Sequence, residues 1–264
     1  MARGKATASG YTTTAIMLSK SGEDLLESGK FSDVTVKCAD RTWNLHKSVI
    51  CIRCPFFEKA FNGEFEEMKT GELTVHDWAS YEVDWVIKFL YTGQVPKEFL
   101  EVHSIHACIN LFKIADFFQV PSLQDRAVKM VRCEFETIAQ NIRVAADSYL
   151  NNPAKSFTED ELNDFLYVAE TAYDTGSASY TVLQDLVKYF LDITRFHIGK
   201  DIRFNTVLEK VPKMAVDMVK LLMRAENKGS MSAVVTQTQT PKNYIICKRD
   251  GIICKKDLHL AAYM

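Results

Sequence analysis

The stretch FSDVTVKCADRTWNLHKSVICIRCPFFEKAF, residues 31–61, decides how the first half of this chain folds. Val34 and Val36 alternate with Asp33, Thr35 and Lys37, and after a polar break at Ala39, Asp40 and Arg41 the alternation resumes with Trp43 and Leu45. A period of two sends successive side chains to opposite faces, so the pattern predicts two short strands joined by a turn. The period then changes. Between residues 47 and 61, Val49, Ile50, Phe56, Phe57, Ala60 and Phe61 fall at helical intervals. Pro55 stands where a second helix can begin, because a first-turn proline forfeits no needed donor. Two strands therefore feed two short helices.

Upstream, residues 1–12 are small and polar and are expected to be disordered, while Ala15, Ile16, Leu18, Leu25 and Leu26 predict a helix that Ser21-Gly22 should interrupt. Downstream, Asn62-Gly63 marks a turn, EFEEM at residues 64–68 reads as an exposed acidic loop, and residues 72–76 form a third short strand. Ser80 is the expected N-cap of a helix whose Val83, Val86, Ile87, Leu90 and Tyr91 make one stripe, with Gly93 just past its end. A further helix spans 104–118 with Cys108, Leu111, Phe112 and Ala115 inward, and Pro121 restarts the helix that carries Leu123, Ala127, Met130 and Val131.

The 264 residues, 47% hydrophobic and 11% aromatic, can fill real cores. Charges nearly cancel, 32 Lys plus Arg against 34 Asp plus Glu, so no overall field draws the protein to nucleic acid or to an anionic membrane. Seven cysteines without framework spacing suit free thiols in a reducing compartment, the cytoplasm or nucleus. The N-terminal segment has no long apolar core, and no stretch has the length needed to cross a bilayer.

The order Phe31, Asp33-Val34, Leu45-His46-Lys47, Val49-Ile50, Phe56-Phe57 and Phe61 resembles the opening of a BTB (POZ) domain. Leu73-Thr74-Val75, Phe89-Leu90-Tyr91-Thr92-Gly93 and LFKIADFF at residues 111–118 extend the likeness in the right sequence. Fragments in register over roughly a hundred residues make a specific signature. The resemblance implies an α+β fold over residues 13–133, a short, mostly antiparallel sheet flanked by helices. Residues 134–225 read as an all-helical, BACK-like extension, similar to those of short fungal-type BTB proteins. Their stripes include Leu162, Phe165, Leu166 and Ala169, then Leu183, Leu186, Val187, Phe190 and Leu191, with breaks at 151–153, 175–177 and 199–200 and a last helical run over 203–225. Residues 226–264 read as a polar linker and a small hairpin that turns at Asp250-Gly251 between Tyr244, Ile245, Ile246, Cys247 and Ile252, Ile253, Cys254.

The function implied is that of a protein-interaction module, not an enzyme. In such domains a helix placed like the one carrying Ile16 and Leu18 packs on the partner of a homodimer, and Asp33 and Lys47 match a charged pair near that interface, with His46 beside them. The segment Phe65-Glu66-Glu67 matches a hydrophobic-x-Glu motif by which adaptors of cullin-RING ubiquitin ligases dock on the cullin. Phe65 would be the apolar anchor and Glu67 a polar contact, with Phe56, Tyr91 and the helices after Pro121 on the same face. This sequence shows no kelch repeats, MATH domain or zinc-finger array to hold a substrate protein, so the helical half or the terminal hairpin would have to hold it. The alternative is a scaffold or transcription-associated regulator that uses the dimer with no ligase.

Competing chemistries are weaker. The chain contains no glycine-rich phosphate loop, nucleophile elbow or paired-histidine metalloprotease motif. Asp33, His46 and Cys51 could form a nucleophilic relay, and Cys38, His46, Cys51 and Cys54, the last two spaced C-x2-C, could hold zinc. Cys51 and Cys54 nevertheless match positions of small residues in the family, and Cys54 stands where a residue would cap the helix opened by Pro55. Cys247, Cys254 and His259 offer three ligands with no fourth, so no cofactor is expected. Residues 242–257 carry five Lys or Arg against two Asp, a local +3 that suits a solvated face or an interaction arm better than a nucleic-acid reader. The pairs Phe56-Phe57 and Phe117-Phe118 are expected in the core.

Overall fold

The computed structural model describes residues 8–102, 104–148, 157–174, 180–198 and 201–229. They belong to two compact units, Met1–Ala127 and Val128–Met264.

In the first unit, β1 (Val34–Cys38), β2 (Arg41–Leu45) and β3 (Glu72–Val75) form a three-stranded sheet in the order β2-β1-β3. The β1/β2 pair is antiparallel and the β1/β3 pair parallel, so the sheet is mixed. Val34 faces Leu45, while Val36 stands between Trp43 and Leu73. This register buries Val34, Val36, Cys38, Trp43, Leu45, Leu73 and Val75 on one face, and the alternating polar residues stay accessible, as a period of two demands.

Eight helices surround the sheet: α1 (Ala8–Ser28), α2 (Lys47–Arg53), α3 (Pro55–Asn62), α4 (Glu66–Thr70), α5 (Ser80–Thr92), α6 (Lys97–Val102), α7 (Ile105–Phe117) and the start of α8 (Pro121–Ser148). Helices α1, α2 and α7 all pack on α5. Its stretch from residue 82 to 91 is buried on nearly every side, Lys88 excepted. Asp84 is tolerated there because it is fully engaged: it accepts from Trp43 Nε1 at 3.0 Å and pairs with Arg41 at 2.8 Å and Lys88 at 3.3 Å. Gly93 ends α5 at a φ of 69°, donating to the Phe89 carbonyl from the left-handed conformation that glycine adopts at little cost.

Four expectations change in this unit. Helix α1 runs unbroken through Ser21-Gly22, and Gly22 is there for packing: a Cβ would lie 2.2 Å from the Tyr91 carbonyl oxygen, so only glycine lets α1 close on α5. The helix also begins at Ala8, so residues 8–12 are helical; residues 1–7 lie outside the described residues. The acidic stretch after Gly63 contains the short helix α4 and is not wholly a loop. At the start of α5 the N-cap is Ala79, whose N–H donates to the Glu82 carboxylate, while Ser80 is already helical and its hydroxyl donates to Asp40.

Among the described residues of the second unit all regular structure is helical. It comprises the rest of α8, then α9 (Glu159–Asp174), α10 (Thr181–Ile198), α11 (Phe204–Lys210) and α12 (Pro212–Gly229), around a core of Phe135, Phe165, Phe190 and Phe204. The Phe135 and Phe190 rings are 4.4 Å apart and those of Phe165 and Phe190 5.0 Å, within the range of favourable aromatic pairing. Helix α8 runs without interruption through residue 133. The single helix expected over 203–225 is two, since Pro212 has no N–H and is accommodated at the first position of α12. Helix α12 continues to Gly229, past the expected linker start. The expected breaks at 151–153, 175–177 and 199–200 and the hairpin with Cys247, Cys254 and His259 lie outside the described residues.

Candidate protein interface

Asp33 and Lys47, expected as a charged pair, meet differently. The Lys47 backbone N–H donates to Asp33 Oδ1 at 2.8 Å, so the carboxylate serves the first turn of α2, where free amides need acceptors. The Lys47 ammonium lies instead 5.7 Å from the centre of the Phe61 ring.

His46 and Tyr91 are both buried, Tyr91 with 4% of its surface exposed. The Tyr91 hydroxyl accepts from the His46 backbone N–H at 2.9 Å and lies 2.8 Å from Nδ1, while Nε2 lies 2.7 Å from the Lys30 carbonyl oxygen. A carbonyl can only accept, so Nε2 carries the proton and Nδ1 accepts from the tyrosine. The expectation that Tyr91 lines a partner face is therefore corrected: its ring and hydroxyl lock the β2–α2 corner onto α5. Burial pushes its hydroxyl up to about 12. His46 holds the preceding loop, through Lys30, and presents little surface of its own. The side chains of Ile16 and Leu18, on α1, lie outside what the structure describes.

The thiols have local partners. Cys38 donates to the Trp78 carbonyl at 3.2 Å, Cys51 to the Phe57 carbonyl at 3.6 Å and Cys54 to the Phe118 carbonyl at 3.1 Å. Cys54 thus ties α3 to the end of α7 and makes no side-chain cap for α3. Burial raises all three, Cys54 to about 11, which favours the thiol over the thiolate a metal or a nucleophilic mechanism needs. Asp33, His46 and Cys51 share no bonding partner and do not converge. Among the described residues no three His, Cys, Asp or Glu side chains gather as a metal site.

The accessible surface of this unit includes large apolar side chains. Phe65 occupies the N-cap position of α4 with 59% of its surface exposed, and Met68 on the next turn is exposed too. A Cβ on Gly63 would sit 2.9 Å from the Phe65 ring, so the ring lies over that glycine and outside the core. Glu67 is half-buried, and its carbonyl accepts the Gly71 N–H that closes α4. Phe56 is half-buried at the edge of an aromatic cluster, 5.0 Å from Phe118 and 5.1 Å from Phe117 by ring centres. Phe117, expected in the core, is exposed and stacks 5.7 Å from Trp78. Sequence reasoning missed Phe117 as a surface residue; it falls off the inward stripe of Cys108, Leu111, Phe112 and Ala115, and that offset was the signal.

A second exposed set went unnoticed in the sequence. Phe31 shows 92% of its surface, Ile52 on α2 81%, and Met17 on α1 is exposed as well. Phe31 has a φ of 65°, a left-handed conformation that bulky residues avoid. The turn around it is held by Ser32 N–H to Gly29, Asp33 N–H to Leu45, and His46 to Lys30.

The family profile described as BTB/POZ domain matches residues 23–133. Among curated proteins the chain is similar to Kelch-like protein 41 of Rattus norvegicus, 32% identical over 98 residues, 37% of this chain and 16% of that protein. It is similar to TD and POZ domain-containing protein 4 of Mus musculus, 30% identical over 111 residues, 42% of this chain and 27% of that protein. A longer match, 28% identical over 167 residues, is with Kelch repeat protein M-T9 of Myxoma virus, covering 61% of this chain and 32% of that protein. The chain thus spans only a fraction of the length of these relatives. Among solved structures, the BTB domain of zebrafish PATZ1 aligns over 49% of this chain and 98% of its own, with 18% identity and a TM-score of 0.35.

Proposed function

Because residues 23–133 are a BTB/POZ domain, we propose that this protein-interaction module works as a homodimer and recruits a further polypeptide through the surface around Phe65. The observation that carries the dimer is Phe31. A phenylalanine almost wholly in water, and in a backbone conformation that costs about 1–3 kcal/mol, persists where function calls for it. Ile52 and Met17, on the two helices that both pack on α5, add exposed apolar surface that a second copy would cover. Sedimentation of the full chain at low micromolar concentration is expected to give a dimer, and Phe31→Ser with Ile52→Asp a monomer. A wild-type monomer under those conditions removes the homodimer.

The finer reading is an adaptor for a cullin-RING ubiquitin ligase, supported by the exposure of Phe65 and Met68 beside α3, which carries Phe56. Phe65 inserts into an apolar pocket and Glu67 adds a polar contact. Phe65→Ala is expected to weaken binding of a purified cullin N-terminal domain by about 2 kcal/mol, roughly thirtyfold, as for a central apolar anchor. Absence of cullin binding by the wild-type dimer leaves the scaffold reading, in which the same dimer serves other partners.

A further inference from the structure

Helix α12 has one apolar stripe too many. Met214 is buried and Met218 and Leu221 are half-buried, which is the inward stripe of an ordinary surface helix. Asp217 fixes the helix's orientation by accepting from the Tyr173 hydroxyl at 3.0 Å. Val216, Val219, Leu222 and Met223 occupy a different arc and are all exposed, Met223 at 61%. At 100° per residue these four cover about 120° of the helix surface, as wide as a core-facing stripe. A helix of this kind is expected to be covered on both sides.

The chain itself supplies a segment of the right chemistry and tether. Beyond Gly229 the polar residues 230–243 lead to Tyr244, Ile245, Ile246 and Cys247, then to Lys248-Arg249-Asp250-Gly251 and to Ile252, Ile253 and Cys254. Two isoleucines on each side of an Asp-Gly turn signal predict a two-stranded hairpin, which is marginal without a surface to lie on. The reach also fits. A flexible polar tether of this length spans about 20 Å on average. Along the helix, Val216 lies about 20 Å back from Gly229 at 1.5 Å per residue. A tether whose average span equals the distance it must cover gives the highest effective concentration.

We propose that residues 244–254 fold back and dock on the outer stripe of α12, so that the chain covers its own exposed apolar face. This inference concerns the second unit alone and is independent of the dimer and cullin readings.

The test uses the full chain and the rate at which dilute hydrogen peroxide oxidises Met223, read by mass spectrometry, with the exposed Met68 as internal reference. A variant in which Ile245, Ile246, Ile252 and Ile253 are each replaced by Asp removes the docking segment's apolar surface. Val219→Asp removes the receiving surface. With a millimolar effective concentration acting on a weak contact, Met223 is expected to oxidise about fivefold more slowly in the wild type than in either variant, independently of protein concentration. Equally fast oxidation in all three proteins overturns the proposal. So does slow oxidation that survives the isoleucine substitutions, and protection that grows with protein concentration would identify a second copy as the cover.

Discussion

The two units of this chain are held together by different means. In the first, polar side chains bind specific backbone or side-chain groups across element boundaries: Asp84 on Trp43, Tyr91 on the His46 amide, Asp33 on the Lys47 amide, Arg53 on the carbonyls that end α5. Each bond demands one geometry, and a buried donor or acceptor left alone is costly, so these ties fix where the strands meet the helices. In the second, the core is a stack of phenylalanines contributed by α8, α9, α10 and α11. Apolar packing has magnitude but little direction. The comparison teaches that directional bonds fix where elements meet, whereas a stack of rings leaves mainly a periodic apolar pattern in the sequence.

The sharpest break in that comparison is the loss of packing volume. Phe190 is fully buried among Phe135, Phe157 and Phe165, so Phe190→Ala is expected to cost about 4 kcal/mol, mostly from the cavity it leaves. All three tryptophans, Trp43, Trp78 and Trp85, lie in the first unit. Their fluorescence therefore reports that unit, while far-UV circular dichroism reports both. In urea the variant is expected to show early loss of helical signal with the fluorescence midpoint unmoved. A shift of both probes together would mean the units unfold as one.

Gly22→Ala attacks the first unit. Its added methyl meets the backbone of Tyr91, which no side-chain rotation can clear. The expected cost is about 2–3 kcal/mol, seen as a lower fluorescence midpoint. A neutral outcome would show that α1 can lift off α5. Tyr91→Phe keeps the ring and removes the hydroxyl, stranding the His46 amide and Nδ1. About 1–2 kcal/mol is expected from those unmet bonds. The same replacement at a position held by volume alone would be close to neutral, so this variant isolates what the polar ties contribute.

Legibility followed local signals. The strands β1 and β2, the entry into α3 at Pro55 and the close of α5 at Gly93 were all readable, because alternation, proline and glycine carry local signals that tertiary structure had no reason to override. Gly22 misled, since a glycine needed for close approach of two helices looks in sequence like one that breaks a helix. The resemblance alone makes Asp33 half of a charged pair with Lys47; that it bonds the Lys47 amide is a property of the local geometry, which residue spacing does not show. Tyr91 was assigned outward on resemblance although its own stripe, with Val83, Ile87 and Leu90, pointed inward. Phe31 was counted only as part of a pattern, and its exposure depends on a left-handed backbone that no propensity predicts for phenylalanine. The outer stripe of α12 was hidden inside one long helical pattern until Pro212 set where the helix begins.

The smallest expected effect probes one of the second unit's polar ties. Asp201 is buried, and its carboxylate accepts from Arg203 Nε at 2.9 Å and from the Arg203 backbone N–H at 3.1 Å, while the same guanidinium donates to the Phe157 carbonyl at 2.7 Å. Hydrogen bonding to Arg203 holds Asp201 below the usual carboxylate range against the opposing pull of burial. A carboxylate depressed in the folded state stabilises the fold at pH values above its unfolded value of about 3.9, and that contribution fades as pH falls through the lower folded value. Arg203 is itself partly exposed, so solvent screens the pair, and about 1 kcal/mol is the expected scale at pH 7. Asp201→Asn should therefore lower the midpoint of the dichroism transition at pH 7 and converge with the wild type toward pH 3. The fluorescence transition of the first unit should be unchanged at both. If the difference between the two proteins persisted undiminished at pH 3, the aspartate would be acting through shape and hydrogen-bond count alone, and its charge would contribute nothing to the fold.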